Sequence, residues 1–298
     1  MAGKTEKLLL LVNPSAGNGK SIDMLADVEQ KFFEIGADVD IRITENIKQA
    51  KEIAFIASRR GYNRIIAMGG DGTVNAVAGG ILGSDSTLAV IPSGTGNDFF
   101  KLLKIENKLE NICRAAAFNK AVELDAGIIN DRPFFNMLGV GFDAEVAIEA
   151  NKMKGNLGVL TYLSAVLKVW KRFPVFDIRL RIDNLELEKQ VMLVAVGIGR
   201  STGGGFLLTP YALANDGKFD VCVVQRTNRR RIFSILPKVM KGTHVRQPET
   251  KIYRCRQVEI SSKSALPIHY EGETFVHKNG RLSVKMSPNK IRVAAGEL

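Results

Sequence analysis

Residues 64–82 read Arg-Ile-Ile-Ala-Met-Gly-Gly-Asp-Gly-Thr-Val-Asn-Ala-Val-Ala-Gly-Gly-Ile-Leu. Arg64–Met68 is an apolar run of strand length, and Thr73–Leu82 reads as a helix, so Gly69–Gly72 is a glycine-rich loop joining the two. Glycines there allow backbone conformations barred to other residues and let phosphate oxygens approach main-chain N–H groups, which the following helix N-terminus reinforces. Asp71 would repel phosphate, so a carboxylate in such a cradle makes chemical sense when a divalent cation lies between them. A plain turn with Asp71 or Thr73 as the helix N-cap accounts for the same residues.

The surrounding chain repeats the pattern. Lys7–Val12 reads as a buried strand, Ile22–Ile35 as a helix, Ala37–Ile43 as a strand, Lys48–Arg60 as a helix and Thr87–Ile91 as a strand. This βαβα order predicts a parallel sheet with helices on both faces and ligands at the carboxyl ends of the strands. The loops at those ends are Asn13–Lys20, Gly69–Thr73 and Pro92–Asp98, all rich in small hydrogen-bonding residues. Two familiar nucleotide motifs fail: Gly17-Asn18-Gly19-Lys20-Ser21 ends like a P-loop but has Pro14 where the first glycine belongs, and Asn75 breaks a G-x-G-x-x-G at residue 69. Beyond residue 125 short β runs take over, at Pro133–Phe142, Phe176–Ile182, Glu188–Val196, Phe219–Val224, Val258–Ser261, Leu282–Met286 and Lys290–Val293. The expectation is an α/β nucleotide-binding domain over 1–125 and a mainly antiparallel β domain over 126–298, whose last strand returns toward the first.

Of 298 residues, 45% are hydrophobic, which excludes wholesale disorder, and the net charge is +11. Residues 1–130 hold 15 basic and 16 acidic side chains, and residues 131–298 hold 27 and 15, so the second half carries the whole surplus. An anionic partner is implied, and it meets that half. Cys113, Cys222 and Cys255 are widely spaced and suggest neither a disulfide framework nor a zinc site; a reducing, cytoplasmic setting fits. Asn13-Pro14 cuts the Leu8–Val12 run well short of a signal-peptide core, and the charge-free Gly155–Leu167 is too short for a bilayer, so membrane contact is expected to be peripheral. His244, His269 and His277 are dispersed and receive no function.

Taken together, Asn13-Pro14-Ser15-Ala16-Gly17, Gly69-Gly70-Asp71-Gly72-Thr73 and Ser93-Gly94-Thr95-Gly96-Asn97-Asp98-Phe99 resemble the bacterial soluble diacylglycerol kinase family, related to sphingosine and ceramide kinases. The likeness continues in Gly203-Gly204-Gly205, in Pro210–Gly217 and in Glu271-Gly272-Glu273. The resemblance implies an ATP-dependent kinase with an α/β domain of the NAD-kinase and diacylglycerol-kinase type, a β-sandwich-like second domain and an active site between them. It assigns ATP binding to Asn13, Pro14, Ser15, Ala16, Gly17, Thr44, Gly70, Asp71, Gly72, Thr73, Val74, Asn75, Ala76 and Thr95. Asp71 and Asp98 match carboxylates of metal-nucleotide handling, and Asp125 matches one between the domains. Asp216, with the carbonyls of Leu213 and Lys218, matches a structural Mg2+ site. Glu273 matches the general base, while Glu271 stands one methylene longer than the family's usual Asp and puts that residue's metal or nucleotide contact in question.

Two apolar segments bear on the acceptor. Ile232, Phe233, Ile235, Leu236, Val239 and Met240 form one helical face, interrupted by Pro237, with Arg226, Arg229, Arg230, Arg231, Lys238, Lys241 and Arg246 around it and no acid between Asp220 and Glu249. Such a helix either lies on an anionic bilayer or packs on the β domain. Leu157–Trp170 places Leu160, Leu163, Val166, Leu167 and Trp170 at helical spacing, as core or as the wall of an acyl-chain pocket. The reading reached is a peripheral, cytoplasmic lipid kinase acting on diacylglycerol at an anionic membrane, with sphingoid, ceramide, phosphatidylglycerol and undecaprenol kinases and an NAD-kinase-like activity as alternatives. It admits a homodimer. A nucleic-acid binder built on the basic half has neither an aromatic-rich RNA motif nor a helix-turn-helix pattern behind it.

Overall fold

The computed structural model describes residues 6–153, 159–172, 174–278 and 280–297. The chain forms two compact units, one of the segment up to Leu124 together with that from Pro288 on, the other of Asp125–Ser287.

The first unit is built on six strands: β1 (Leu8–Val12), β2 (Val39–Ile43), β3 (Arg64–Gly69), β4 (Thr87–Pro92), β5 (Ala121–Leu124) and β17 (Ile291–Ala294), in the order β2-β1-β3-β4-β17-β5. All neighbours are parallel except the β17–β5 pair. Every residue of β1, β3 and β4 is buried, which is why these strands read as continuous apolar runs without alternation. The helices are α1 (Lys20–Asp23), α2 (Leu25–Glu34), α3 (Ile47–Arg59), α4 (Asp71–Ile81), α5 (Asp98–Leu102) and α6 (Leu109–Phe118). The helix expected over Ile22–Ile35 is divided by a turn at Met24. Helix α4 starts two residues earlier than read, with Gly70 as its N-cap in extended backbone, so neither Asp71 nor Thr73 serves as the cap.

The second unit holds β6 (Gly127–Ile129), β7 (Arg132–Phe134), β8 (Met137–Gly141), β9 (Phe176–Ile182), β10 (Leu185–Gly197), β11 (Phe219–Gln225), β12 (Thr250–Cys255), β13 (Gln257–Ser262), β14 (Leu266–Tyr270), β15 (Glu273–His277) and β16 (Arg281–Met286). They form one eleven-stranded sheet, with β11 and β12 branching from β10, and every pair is antiparallel. One face buries a large apolar core around Phe134, Leu180, Val194, Phe219 and Leu282. Against another part pack α7 (Phe142–Lys152), α8 (Val159–Arg172) and α9 (Arg229–Met240), around Leu193, Ala195, Phe206 and Ile235. The run read as one strand over Pro133–Phe142 is two, and α7 begins at its last residue because Gly141 turns the chain at φ 92°. All three cysteines are free and buried, and no helix among the described residues is long and apolar enough to cross a membrane.

Candidate active site

Three strand-end loops of the first unit meet. After β1, the Asn13 amide donates to Thr73 Oγ1 at 2.8 Å, tying the first loop to the first turn of α4. Its Oδ1 accepts from the Ser15 N–H at 3.1 Å. Ser21 and Ser93 share a buried hydroxyl bond of 2.6 Å between the first and third loops, and the Ser93 N–H donates to the Gly69 carbonyl at 3.0 Å. Gly17 has φ 61°, and a Cβ on it would fall on the Ser93 carbonyl oxygen. A Cβ on Gly94 would lie 2.5 Å from the Gly70 Cα. Only glycine permits this approach, and the main chain is thereby laid open where a phosphate would sit.

Asp71, in the first turn of α4, accepts the Phe99 N–H at 3.0 Å and so links the second loop to α5. Burial pushes its carboxyl above the ordinary range; the Phe99 N–H draws it partly back, and Asp98 adds to the rise. Asp98 is buried and bonded to Lys101 at 2.8 Å. A buried carboxylate beside a second one is stabilised by a cation. The Asn75 Oδ1 is buried with no hydrogen-bond partner among the described residues, an orphaned acceptor suited to a ligand amino or hydroxyl group. The glycine cradle and this acceptor fit ATP. Val74 and Ala76 turn into the core, so their contact with a nucleotide would be through main chain alone. Thr44 is buried with its hydroxyl on the Val12 carbonyl at 3.1 Å, beside the first loop rather than open to a ligand. Thr95 and Ser15 are exposed, and Pro14, Ala16 and Gly72 half-buried.

In the second unit, the Asp125 carboxylate accepts the Gly217 N–H at 2.6 Å, and its own N–H donates to the Ala214 carbonyl at 2.7 Å, which holds the Leu213–Lys218 loop. Asp216 accepts the Lys218 N–H at 3.0 Å and pairs with Arg254, which also reaches Asp220 at 3.3 Å. Burial raises the Asp220 carboxyl, against the pull of Arg254, and Asp216 raises it further. Among the described residues no three acidic, histidine or cysteine side chains form a metal cluster. A divalent ion held here would rest on the Asp216 carboxylate and the carbonyls of Leu213 and Lys218, hard oxygen donors of the kind magnesium takes.

The β14–β15 hairpin turns through Glu271 and Gly272, at φ 50° and 83°, with Tyr270 and Glu273 paired across it. Positive φ at both loop residues is the hairpin geometry that usually selects Asn-Gly or Asp-Gly. Glu271 is buried, and its Oε1 accepts the N–H groups of Phe135 and Asn136 at 2.8 and 2.7 Å. Glu273 is exposed and accepts the Tyr270 hydroxyl at 3.3 Å. Burial raises the Tyr270 phenol above its usual range even though Arg132 bonds to it, so Tyr270 stays a donor at neutral pH. His269 lies beneath, 3.2 Å from Asp143, with both buried. Sequence reading missed the partners Tyr270, Arg132, Phe135 and Asn136, which no local motif announces.

An apolar cavity of about 80 Å³ opens between the sheet and α7–α9, lined by Phe142, Val146, Val166, Leu208, Leu236 and Val239 among others. Its polar wall residues are Asp143 and His244; burial lowers the His244 pKa, leaving the ring neutral. Of the Leu157–Trp170 stretch, Val166 is buried in this wall and Leu167 is 48% exposed, while Leu157 and the Leu160 side chain lie outside the described residues. Helix α9 continues through Pro237 and buries Ile235 and Val239 against the sheet, so the middle of its apolar face is spent on packing, while Met240 at its end is 47% exposed. Arg231 binds Glu249 at 2.7 Å and Lys238 binds Gln247 at 2.8 Å, while Arg230, Lys241 and Arg246 remain exposed. The side chains of Arg229 and Phe233 lie outside the described residues.

Residues 7–129 match the family described as diacylglycerol kinase catalytic domain, and residues 136–295 that described as YegS C-terminal NAD kinase beta sandwich-like domain. The chain is 29% identical over 270 residues to a diacylglycerol kinase of Bacillus subtilis (strain 168), covering 89% of this chain and 88% of the relative. It is 27% identical over 267 residues to one of Staphylococcus carnosus (strain TM300), covering 89% and 87%. A crystal structure of a diacylglycerol kinase from Bacillus anthracis str. Sterne superposes with a TM-score of 0.74 over 98% of each chain at 20% identity. A second crystal structure from the same organism reaches 0.81 over 98% of each chain at 24% identity. At these identities the structures establish the fold.

Proposed function

Because this chain joins a diacylglycerol kinase catalytic domain over residues 7–129 to a YegS C-terminal NAD kinase beta sandwich-like domain over residues 136–295, it belongs to the bacterial diacylglycerol kinase family, and we propose that it transfers the γ-phosphate of ATP to a lipid hydroxyl, with diacylglycerol as the acceptor and phosphatidic acid as the product. It is a phosphotransferase of the lipid kinase type; the donor and acceptor are our reading. The observation that carries the acceptor class is the apolar cavity under α7–α9, since a nucleotide or sugar acceptor needs polar walls and a lipid does not.

In this reading the main chain of Asn13–Gly17 and Gly70–Ala76, with Thr95, holds the triphosphate, and Asn75 accepts a hydrogen bond from the nucleotide. Glu273 takes the proton of the acceptor hydroxyl as its oxygen bonds to the γ-phosphorus and the β,γ-bridging P–O bond breaks, releasing ADP. Asp71 and Asp98 would hold magnesium against the phosphates, and Asp216 with the Leu213 and Lys218 carbonyls a structural ion; the metal supplies charge neutralisation. Phosphoryl transfer needs positioning and charge balance more than covalent chemistry, which these loops provide.

The deciding experiment is a radiolabelled ATP assay against a panel of lipids in mixed micelles, with NAD and a sugar phosphate as controls. Diacylglycerol is expected to be labelled best; labelling of NAD alone rejects the proposal. Filling the cavity tests the acceptor site separately. Val166→Phe is expected to lower kcat/KM for diacylglycerol by about tenfold or more, the cost of a misfitted apolar pocket, and to leave the KM for ATP unchanged.

The exposed Arg230, Lys241 and Arg246, with Met240 next to Lys241 at 47% exposure, offer cations and an apolar anchor to an acidic bilayer. The double charge reversal Arg230→Glu/Lys241→Glu is expected to weaken binding to phosphatidylglycerol vesicles by roughly tenfold or more, at about 1 kcal/mol per basic residue near the surface. Cosedimentation at low and physiological salt checks this, and binding indifferent to anionic lipid removes the membrane contact.

A further inference from the structure

We propose that Glu271 is a positioning residue for the catalytic turn, and that its carboxylate anchors main chain where the family resemblance implies a metal or nucleotide contact. The proposal rests on the reading of Glu273 as the general base. The two-residue turn requires left-handed backbone at both positions, and Glu271 adopts φ 50° without the short side chain that lets Asn or Asp settle there. Gly272 has no neighbour within 4 Å of where a Cβ would stand, so packing does not hold the tip of the turn. Beyond the β14–β15 pairing, the Glu271 side chain ties the turn down: it points inward and accepts two main-chain N–H groups, of Phe135 and Asn136, at 2.8 and 2.7 Å.

Those donors belong to a fixed point of the second unit. The Asn136 carbonyl accepts the N–H groups of Ile198 and Gly199, each at 2.9 Å, and its side-chain amide donates to the Ser201 carbonyl at 3.1 Å. Glu271 therefore ties the turn to the ends of β8 and β10 at once. The extra methylene relative to Asp gives the carboxylate its reach to the 135–136 main chain while the backbone stays in the turn. With the turn fixed, Glu273 opens β15 opposite Tyr270, whose hydroxyl donates to the Glu273 carboxylate at 3.3 Å and is itself bonded to Arg132. Glu271 sets where the base stands, and Tyr270 sets how its carboxylate is turned.

The test is steady-state kinetics in diacylglycerol mixed micelles with Glu271→Ala, Glu271→Gln, Tyr270→Phe and Glu273→Gln, each at several magnesium concentrations and each checked by thermal unfolding. Glu271→Ala is expected to lose about 30- to 100-fold in kcat, the scale of a roughly 1 Å misplacement of a reacting group, with the KM for ATP and the magnesium requirement unchanged. Glu271→Gln is expected to recover kcat to within about threefold of the parent, because its amide oxygen accepts the same two N–H groups. Tyr270→Phe leaves the anchor intact and is expected to lose about tenfold in kcat alone. A parental kcat in Glu271→Ala overturns the proposal, as does a folded Glu271→Gln that is as inactive as Glu271→Ala with a raised KM for ATP or a raised magnesium requirement. Should Glu271→Ala not fold, Glu271→Gln and Tyr270→Phe decide between the same outcomes. Near-normal turnover in Glu273→Gln instead overturns the base assignment; an inactive Glu273→Gln beside a fully active Glu271→Ala overturns only the present inference.

Discussion

Glu273→Gln is expected to lower kcat by about 10²–10⁴-fold, the usual worth of a general base, while ATP binding and the melting temperature stay at parental values. The size of the effect follows from the surroundings. Gln keeps the shape and the hydrogen bond from Tyr270 but cannot take a proton. No neighbour in the turn can replace it. Glu271 is committed to the main chain of Phe135 and Asn136. The Tyr270 phenol is pushed up by burial and keeps its proton. His269 is buried against Asp143 on the other side of the strand. Glu273 is also exposed at the start of β15, so its replacement removes no packing and the loss falls on chemistry alone. Single-turnover measurement of radiolabelled product, with ATP binding followed by calorimetry, checks both halves of the expectation, and residual turnover near the parental rate rejects it.

Gly17→Ala is expected to do the converse: to destabilise the first unit and weaken ATP together. Alanine at φ 61° costs about 1–2 kcal/mol, and forcing its methyl onto the Ser93 carbonyl adds an overpacking cost of about 1–3 kcal/mol. Relief comes only if the first and third loops separate, which breaks the 2.6 Å Ser21–Ser93 bond and moves Gly94 away from Gly70. The melting temperature should fall by about 6–12 °C, and the KM for ATP should rise by about tenfold or more because the cradle is no longer assembled. Calorimetric melting and initial rates at varied ATP measure the two effects. A variant with parental values for both would show that the contact between these loops is unimportant.

The strand-end loops of the first unit were legible because each lies in one short stretch. A fully buried strand, a glycine loop and a helix start follow one another at Arg64–Ile81, and the same grammar recurs after β1 and β4. What joins the loops was not legible: Ser21 meets Ser93 across 72 residues, and the Asn13 amide meets Thr73 across 60. The turn through Glu271 and Gly272 was visible only as a motif. Its strand β14 is buried throughout, contains Pro267 and lacks alternation, so no periodicity marks it. The partners of Glu271 stand 135 and 136 residues away. Helix α9 shows the limit from the other side, since its amphipathic pattern was plain but did not say that Ile235 and Val239 would face the sheet.

Strand β17 fills the gap between β4 and β5 with residues that follow the whole second unit in the chain. As the polypeptide leaves the ribosome, β4 is made with every residue destined for burial and one edge unpaired, and it stays so until Ile291–Ala294 emerge. An open apolar edge of this kind recruits other chains. The six-stranded sheet is therefore completed only after the whole second unit has been synthesised, and a truncation before residue 291 should yield aggregates rather than a free, folded first unit.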